Sequence, residues 1–183
     1  LPGDTPENSL ETAHKIIALQ TDLVRIYPTA VINDTKLAEM MINGIYQPWS
    51  LDVVIDTVAQ IADEFMLADI PIIRIGLQAA DNLVWGKDLL GGAYHPAMGE
   101  LVKNRQIFRR LTNALAKMPD TMVIYCNKNE LSQFIGQKKN NLYKLRKIYH
   151  SDLAIKADEA LPKGIFELEQ KGERRRFDVF ETA

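Results

Sequence analysis

The chain has 183 residues, of which 46% are hydrophobic and 25% charged, and its formal net charge is −2. These values are ordinary for a globular protein of one large or two small domains, and they exclude a global electrostatic signature for nucleic acid or membranes. The single cysteine, Cys126, excludes an internal disulfide and any metal or iron–sulfur site made only of this chain's cysteines. No signal peptide or membrane-spanning stretch is visible, so we expect a cytoplasmic protein without a membrane partner.

The first residues, Leu-Pro-Gly-Asp-Thr-Pro, are typical of a strand exit that turns into a helix. Gly3 suits a tight turn, Thr5 suits an N-cap, and Pro6 suits the first helical position, where its missing N–H costs nothing. A turn of this kind implies a strand before it. We therefore expect the chain to be the later part of a longer protein.

Up to residue 78, predicted helices and strands alternate. Helices are expected over 9–20 and 36–43, and a long helix begins after Ser50 and carries an apolar stripe to Phe65. Short strands are expected over 23–27 and 70–75, the second buried except at Arg74. This alternation argues for parallel α/β architecture.

Beyond residue 78, the pattern predicts a glycine-containing loop over 79–96 and a long helix from Pro96. After Pro119 it predicts two short helices around a turn at Gly136, lying between strands, and a final hairpin with Arg174-Arg175-Arg176 on an edge strand. The predicted ranges are strands 121–126 and 153–155, helices 130–135 and 141–149, and the hairpin 165–180. We place a domain boundary after residue 118, so the domains are 1–118 and 119–183.

Several strings of the first 100 residues resemble radical-SAM enzymes, with their spacing preserved. They are Leu-Pro-Gly-Asp-Thr at 1–5, Asp-Leu-Val-Arg-Ile-Tyr-Pro-Thr-Ala-Val-Ile at 22–32, Thr-Lys-Leu at 35–37, Gly-Ile-Tyr-Gln-Pro at 44–48 and Ile-Ile-Arg-Ile-Gly-Leu-Gln at 72–78. The strings are most similar to the branch related to the catalytic subunit of Elongator. Bacterial members of that branch are often labelled oxygen-independent coproporphyrinogen III oxidase-like proteins.

The resemblance implies the late portion of a radical-SAM partial (β/α) barrel, with S-adenosylmethionine and a 4Fe-4S cluster bound by the parent protein. The three-cysteine cluster motif of the family is absent from this chain. The missing N-terminal half of the barrel is therefore an expected partner, and the chain alone is expected to be inactive. In Elongator's own subunit an acetyltransferase domain follows the barrel, but a glycine-rich acetyl-CoA turn is absent from this chain, so the resemblance does not imply acetyl transfer.

In the family, loops after the late strands help to wall the S-adenosylmethionine pocket. By position, the resemblance makes Pro2, Gly3, Tyr27 and Pro28 candidate cofactor-binding residues, none of them catalytic. On the pattern alone, the same residues are strand ends with their loops. No metal ligand set is predicted within the chain.

A second candidate site is the string Gly91-Gly92-Ala93-Tyr94-His95-Pro96 before the long helix. Backbone N–H groups at a glycine-rich helix entry bind anions, and His95 or Tyr94 would add a hydrogen bond. The alternative, which we favour, is a loop in which Pro96 starts the helix and His95 is a surface or capping residue.

A third candidate is the string around Gly136, which lies between two short helices and resembles a KH module, whose Ile-Gly-x-x-Gly loop clamps nucleic acid. Here the loop reads Ile-Gly-Gln-Lys-Lys. The resemblance implies a small KH-like α/β extension, with candidate nucleic-acid-binding residues Gly136, Gln137, Lys138, Lys139 and Lys144. Lys139 replaces the second glycine, which adds charge but opposes close approach of the backbone. The alternative is a solvated lysine-rich turn.

These observations predict the C-terminal part of a radical-SAM enzyme that walls the cofactor and substrate pocket and docks its substrate, with tRNA as a candidate. An alternative is a non-catalytic RNA-binding module that uses the Gly136 loop. A third interpretation is porphyrinogen oxidation, for which the residues carry no specific signal. Cys126, within an apolar strand, is expected to be a buried core thiol.

Overall fold

The computed structural model describes residues 1–78, 83–149 and 152–179. The chain divides into two compact units, Leu1–Val102 and Lys103–Ala183. The domain boundary expected after residue 118 stays a prediction, because compactness alone does not define a domain. Within the described residues, no helix has both the length and the apolar character needed to cross a bilayer.

The two units differ strongly in charge. Leu1–Val102 contains 5 Lys and Arg residues against 14 Asp and Glu, whereas Lys103–Ala183 contains 17 against 10. The formal net charges are therefore −9 and +7. The net charge of −2 for the whole chain is therefore the sum of an acidic first unit and a basic second unit.

The first unit alternates helices with short strands and enters a helix that continues into the second unit. Its elements are α1 (Pro6–Ala18), β1 (Val24–Ile26), β2 (Ala30–Ile32), α2 (Lys36–Ile42), α3 (Leu51–Leu67), β3 (Ile72–Ile75), β4 (Leu89–Gly92) and the start of α4 (Met98–Lys117). The side chains of Thr5, Thr35 and Ser50 accept hydrogen bonds from backbone N–H groups at the starts of α1, α2 and α3. These three helix starts are confirmed.

Strands β1 and β3 pair in parallel, as the alternation predicted. The apolar stripe of α3 is buried, and its members Val54, Val58 and Ala62 belong to a core cluster against which Ile26 and Ile72 pack. Burying a valine or isoleucine side chain stabilises the fold by about 1.5–3 kcal/mol, and the single methyl of Ala62 contributes less. The helices therefore anchor the parallel strand pair through α3.

Strand β3 is not buried along its length, and that prediction is wrong. Ile73 is 50% exposed, and Arg74, also exposed, lies opposite Arg25 in the register of β1. The apolar clusters of this unit take in Ile72 and Ile75 but not Ile73. An apolar run alone does not distinguish a strand covered on two faces from one covered on one.

The loop expected over 79–96 instead contains a strand, because Leu89–Gly92 pairs antiparallel with Ala30–Ile32. Residues 79–82 of that expected loop lie outside the described residues. Glycine has low strand propensity, so the pair Gly91-Gly92 gave no indication of strand β4 in the sequence. Gly92 has φ +87°, and a Cβ at this position would lie 2.5 Å from the Thr29 carbonyl oxygen. Only glycine allows this close approach of two backbones.

The second unit packs helices on a four-stranded sheet. Its elements after α4 are β5 (Val123–Cys126), α5 (Leu131–Ile135), α6 (Asn140–Ile148), β6 (Ala154–Ala157), β7 (Ile165–Gln170) and β8 (Glu173–Asp178), with 3₁₀ turns before α5 and α6. The strand order is β6-β5-β7-β8, in which β5 and β6 are parallel and the other pairs antiparallel. The predicted hairpin and the edge position of Arg174-Arg175-Arg176 are confirmed. The expected end of that hairpin at Phe180 lies outside the described residues.

The core of the second unit joins α4, α5 and α6 to one face of the sheet. Leu111, Phe134 and Leu145 belong to the same buried cluster as Phe166 and Cys126. Burial, with a contribution from the negative charge of Glu130, raises the pKa of the Cys126 thiol to about 12. Cys126 is therefore a buried core thiol, as predicted.

Candidate functional site

The first unit has a pocket at the carboxyl end of β1, with a volume of about 140 Å³. Four segments supply its walls: the start of α1, the residues after β1, the α2–α3 connection and one face of α3. The lining residues are Leu1, Asp4, Ser9, Ile26, Tyr27, Pro28, Thr29, Tyr46, Trp49, Val54, Thr57, Val58 and Ile61. In parallel α/β folds, ligands bind at this end of the strands.

A tight turn presents Asp4 to the pocket. Gly3 has φ +76°, and the Asp4 N–H donates to the Leu1 carbonyl over 3.1 Å. The Asp4 carboxylate accepts hydrogen bonds from the Thr5 N–H at 2.9 Å and from the Ser9 hydroxyl at 3.3 Å. These contacts hold the carboxylate in place beside the pocket.

The α2–α3 connection supplies two aromatic walls. Gly44, with φ +73°, ends α2, and the N–H groups of Ile45 and Tyr46 both donate to the Met40 carbonyl. This turn buries Tyr46, which is 8% exposed. Burial, followed by the negative charge of Asp4, raises the pKa of the Tyr46 phenol. Tyr46 and Asp4 both belong to the pocket lining.

The structure places two of the four candidate cofactor-binding residues in the pocket wall. Tyr27 and Pro28 line it, and Tyr27 is 49% exposed. Pro2 and Gly3 are exposed and do not line it, although their neighbour Asp4 does. Binding of a cofactor by any of the four stays a prediction.

Sequence reasoning placed Asp4 at a strand end without assigning it a role, and it missed Tyr46 and Trp49 as pocket residues. Tyr46 belongs to the Gly-Ile-Tyr-Gln-Pro string that carried part of the resemblance, so a signal for it was present. An aromatic residue soon after a helix-ending glycine sits in a connection, where binding residues are common. Nothing in the linear spacing indicated that this connection meets the start of α1.

The glycine string before α4 does not form a helix entry. Gly91 and Gly92 belong to β4, and α4 begins at Met98 rather than at Pro96. The Nδ1 atom of His95 accepts a hydrogen bond from the Ala97 N–H at 3.0 Å. Of the favoured alternative, the local backbone-binding role of His95 is confirmed, whereas the loop over the two glycines and the helix start at Pro96 are wrong.

The turn at Gly136 is packed against its own unit. Gly136 is buried, with φ +78° and ψ 161°, and a Cβ there would lie 2.7 Å from Asn141 Cγ. The Asn141 side chain donates to the backbone carbonyls of Asn104 and Gln133. The contacts around position 136 therefore require glycine there, whether or not the loop binds a ligand.

The polar candidates around this turn point to solvent. Gln137, Lys138, Lys139 and Lys144 are all exposed. Lys138 and Lys139 adopt positive φ values of 51° and 63°, and the ammonium of Lys144 lies 5.8 Å from the centre of the Phe108 ring. Nucleic-acid binding by these residues stays a prediction.

The described residues contain no group of three or more His, Cys, Asp or Glu side chains arranged to hold a metal ion. The described part of the chain thus does not fit a 4Fe-4S cluster, and we derive no chemical step through one. The walls of the pocket at the end of β1, by contrast, combine aromatic rings with a carboxylate.

Comparison with known proteins places part of the chain in a family context. Residues 21–107 match the family model described as the Radical_SAM C-terminal domain. This match supports a C-terminal part of a radical-SAM protein, and the mixed α/β fold is the class predicted for that portion. No curated protein matches the chain.

Proposed function

We propose that this chain is the C-terminal part of a radical-SAM enzyme of the Elongator-related branch, and that its pocket forms part of the wall of the S-adenosylmethionine and substrate site. The single observation that carries the proposal is the position of the pocket. Most of its lining, from Ile26 to Ile61, falls inside the segment 21–107 that matches the family model. The pocket also opens at the strand ends where such folds bind ligands.

In this proposal, the chain contributes binding and not redox chemistry. Cysteines of the missing barrel half hold the cluster, and the bound cluster and S-adenosylmethionine supply reductive cleavage and radical chemistry in the parent protein. Residues of this chain orient the bound molecule: Tyr27 and Pro28 after β1, and Tyr46 and Trp49 from the α2–α3 connection. The apolar face of α3 excludes water behind them.

The test uses the full-length gene product that contains this chain, reconstituted with iron and sulfide. We expect cluster-dependent cleavage of S-adenosylmethionine, with a KM raised about fivefold or more in Trp49→Ala, since removing an aromatic wall costs about 1 kcal/mol or more. Leu19→Ala is the matched control, because Leu19 is 75% exposed and does not line the pocket. A parent protein without a three-cysteine motif, or equal KM values for both variants, would contradict the proposal.

A second candidate function is RNA docking by the second unit, and its charge favours this candidate. The unit has a formal charge of +7, and Lys138, Lys139 and Lys144 present ammonium groups to solvent. Phosphate contacts of this kind supply sequence-independent affinity. Within the radical-SAM proposal, such docking would bring a tRNA substrate to the enzyme, whereas on its own it would define an RNA-binding module.

Filter binding of tRNA to the chain tests this candidate. Replacing Lys138 and Lys139 by Glu should weaken binding and lower the slope of log K against log salt by about 2, because each of the two lysines would no longer neutralise a phosphate. Replacing Lys156 and Lys163 by Glu is the control, because both are exposed in the same unit and neither belongs to the turn. Equal losses for the two double variants would indicate a general charge effect and reject the loop as the site.

Porphyrinogen oxidation stays a prediction that no structural observation favours.

A further inference from the structure

We propose that the second unit carries a separate binding site for oligophosphates, in a groove between the end of α4 and the β7–β8 hairpin. The groove has a volume of about 540 Å³, which lies in the range of about 300–1,000 Å³ that is typical of small-ligand sites. Its lining residues are Lys117, Met118, Gln170, Lys171, Glu173, Arg174 and Arg175. The inference goes beyond the proposed function, which gives this groove no role.

The lining of the groove is strongly cationic. Four of its residues carry a positive formal charge and one, Glu173, carries a negative charge, which leaves a balance of +3. The charge of Arg174 is already compensated. Its guanidinium donates to an Asp158 carboxylate oxygen at 2.8 Å and stacks on the Tyr125 ring, 3.6 Å from the ring centre. Arg174 therefore stabilises the sheet, and the remaining cations are the ones available for binding.

Three cations from three segments are available to a ligand. They are Lys117 at the end of α4, Lys171 in the hairpin turn and Arg175 in β8, and all three are exposed. Within the described part of the chain, none of them forms an ion pair. The Arg175 guanidinium lies 5.5 Å from the centre of the Phe177 ring, a contact that restricts its positions. A guanidinium and two ammonium groups around one groove supply the donors and the charge that phosphate oxygens require.

Two hydrogen bonds fix the walls of the groove relative to each other. The Met122 N–H donates to the Glu169 carbonyl at 3.0 Å, and the Gln170 side chain donates to the Asp120 carboxylate at 3.1 Å. These bonds tie the segment after α4 to the end of β7. The cations of α4 and of the hairpin are therefore held at one site by the fold of the unit.

The groove is distinct from the turn at Gly136. That turn contacts α4 at Asn104, whose backbone carbonyl accepts a hydrogen bond from the Asn141 side chain. Lys117 lies about 20 Å further along the same helix, since an α-helix rises about 1.5 Å per residue. The groove is therefore a site of its own, and not part of the turn for which RNA binding is proposed.

The ligand that matches this groove is a chain of two or more phosphate groups. One phosphate group carries about −1.5 to −2 charges at pH 7, so three unpaired cations compensate more than one group. A single phosphate would also fill only a small part of the groove volume. The same chemistry occurs in free oligophosphates, in nucleotides and in the backbone of RNA, and the experiment separates a free ligand from a backbone.

The experiment measures the binding of inorganic triphosphate to the 183-residue chain by titration calorimetry, with inorganic phosphate as the comparison. We expect triphosphate to bind about tenfold more tightly, because it reaches two further cations and each exposed ion pair contributes about threefold. The affinity should fall as salt is raised, since the three cations are exposed. In a second arm, a single-stranded RNA octanucleotide binds alone and then in competition with triphosphate.

Two sets of variants locate the site. Lys171→Gln with Arg175→Gln should weaken triphosphate binding about tenfold, because it removes two of the ion pairs. Lys156→Gln with Lys163→Gln is the control, since it removes the same charge from the same unit and neither residue lines the groove. If circular dichroism shows that the first variant is unfolded, Lys117→Gln carries the test with an expected loss of about threefold, because glutamine and lysine have similar helix propensities.

The proposal is overturned if neither triphosphate nor the RNA binds, if phosphate binds as tightly as triphosphate, or if binding is unchanged in the groove variants. It is also overturned if the control variant loses as much, because the effect would then be one of net charge. Triphosphate binding that RNA does not displace supports a free oligophosphate as the ligand, and displacement by RNA supports a backbone.

These outcomes are distinct from those of the other proposals. The radical-SAM proposal is tested at Trp49, and RNA docking by the turn is tested at Lys138 and Lys139. Either can fail while triphosphate still binds in the groove, and the groove can fail while both of them stand.

Discussion

Replacing Gly136 by Ala is the sharpest test of how the turn between α5 and α6 is built. Its φ of +78° and ψ of 161° lie in a region that only glycine adopts readily. The added Cβ would lie 2.7 Å from Asn141 Cγ and 2.9 Å from the Asn141 backbone nitrogen. The Asn141 backbone nitrogen belongs to the first turn of α6, so it cannot relieve the contact by a change of rotamer as a side chain could.

The expected loss of stability is the sum of two costs: the unfavourable backbone conformation and the close contacts of the added Cβ. A residue forced into this backbone region costs about 1–3 kcal/mol, and overpacking a well-filled site costs a further 1–3 kcal/mol. We expect Gly136→Ala to lower the free energy of unfolding of the second unit by about 3 kcal/mol. That loss would make hydrogen exchange of the protected amides of α6 about 100-fold faster.

Gly172→Ala is the matched control. Gly172 has φ +84° in the β7–β8 turn, but a Cβ there would meet no atom within 4 Å. The Gly172→Ala variant therefore measures only the cost of placing a side chain at positive φ, about 1 kcal/mol. Urea unfolding followed by far-ultraviolet circular dichroism, with hydrogen exchange of α6, measures both variants.

A loss in Gly136→Ala no greater than that in Gly172→Ala would refute the reasoning. It would mean that Asn141 yields at little cost and that the turn is free to rearrange around a ligand. A destabilised variant that still binds tRNA would instead separate the packing role of Gly136 from the charge of Lys138 and Lys139.

Substitutions at three further sites, Gly92, Ser50 and Cys126, and their controls test the fold and the core thiol. Gly92→Ala should cost about 2 kcal/mol in urea unfolding, since its Cβ would lie 2.5 Å from the Thr29 carbonyl oxygen, whereas Gly86→Ala, with open space at its Cβ, should cost less. Ser50→Ala should lose about 1 kcal/mol through the α3 cap, and Ser50→Thr should keep most of it. Cys126, with a thiol pKa of about 12 against an ordinary 9.0, should resist iodoacetamide at pH 8 until the protein unfolds. Because the unfolded chain releases this proton first, stability should fall by about 1.4 kcal/mol per pH unit between pH 9 and 12, and Cys126→Ala should lack this slope.

The elements that local chemistry determines could be predicted from the sequence. Thr5, Thr35 and Ser50 each cap a helix because a short hydroxyl side chain satisfies N–H groups that have no partner in the first turn. The hairpin turn at Lys171-Gly172 follows from the need for positive φ at both residues, here 53° and 84°. Such signals lie within a few residues of the feature that they specify.

Features that depend on distant segments could not be predicted. Strand β4 exists because Leu89–Gly92 meets Ala30–Ile32, and its two glycines carry no strand signal of their own. The pocket joins Asp4 to Tyr46, which are far apart in the sequence. The buried state of Gly136 depends on Asn141, whose side chain fills the space that an open loop glycine would leave free.

The parallel pair of β1 and β3 has a consequence for how the chain behaves in solution. Within the described residues, each of these strands pairs only with the other, so each keeps an open edge that invites association with another chain. Arg25 and Arg74 lie opposite each other on these strands and are both exposed. Like charges so placed weaken the pair slightly, but they also repel the same strands of a second molecule. The two arginines thus slightly weaken the strand pair and oppose its association with the same strands of a second molecule.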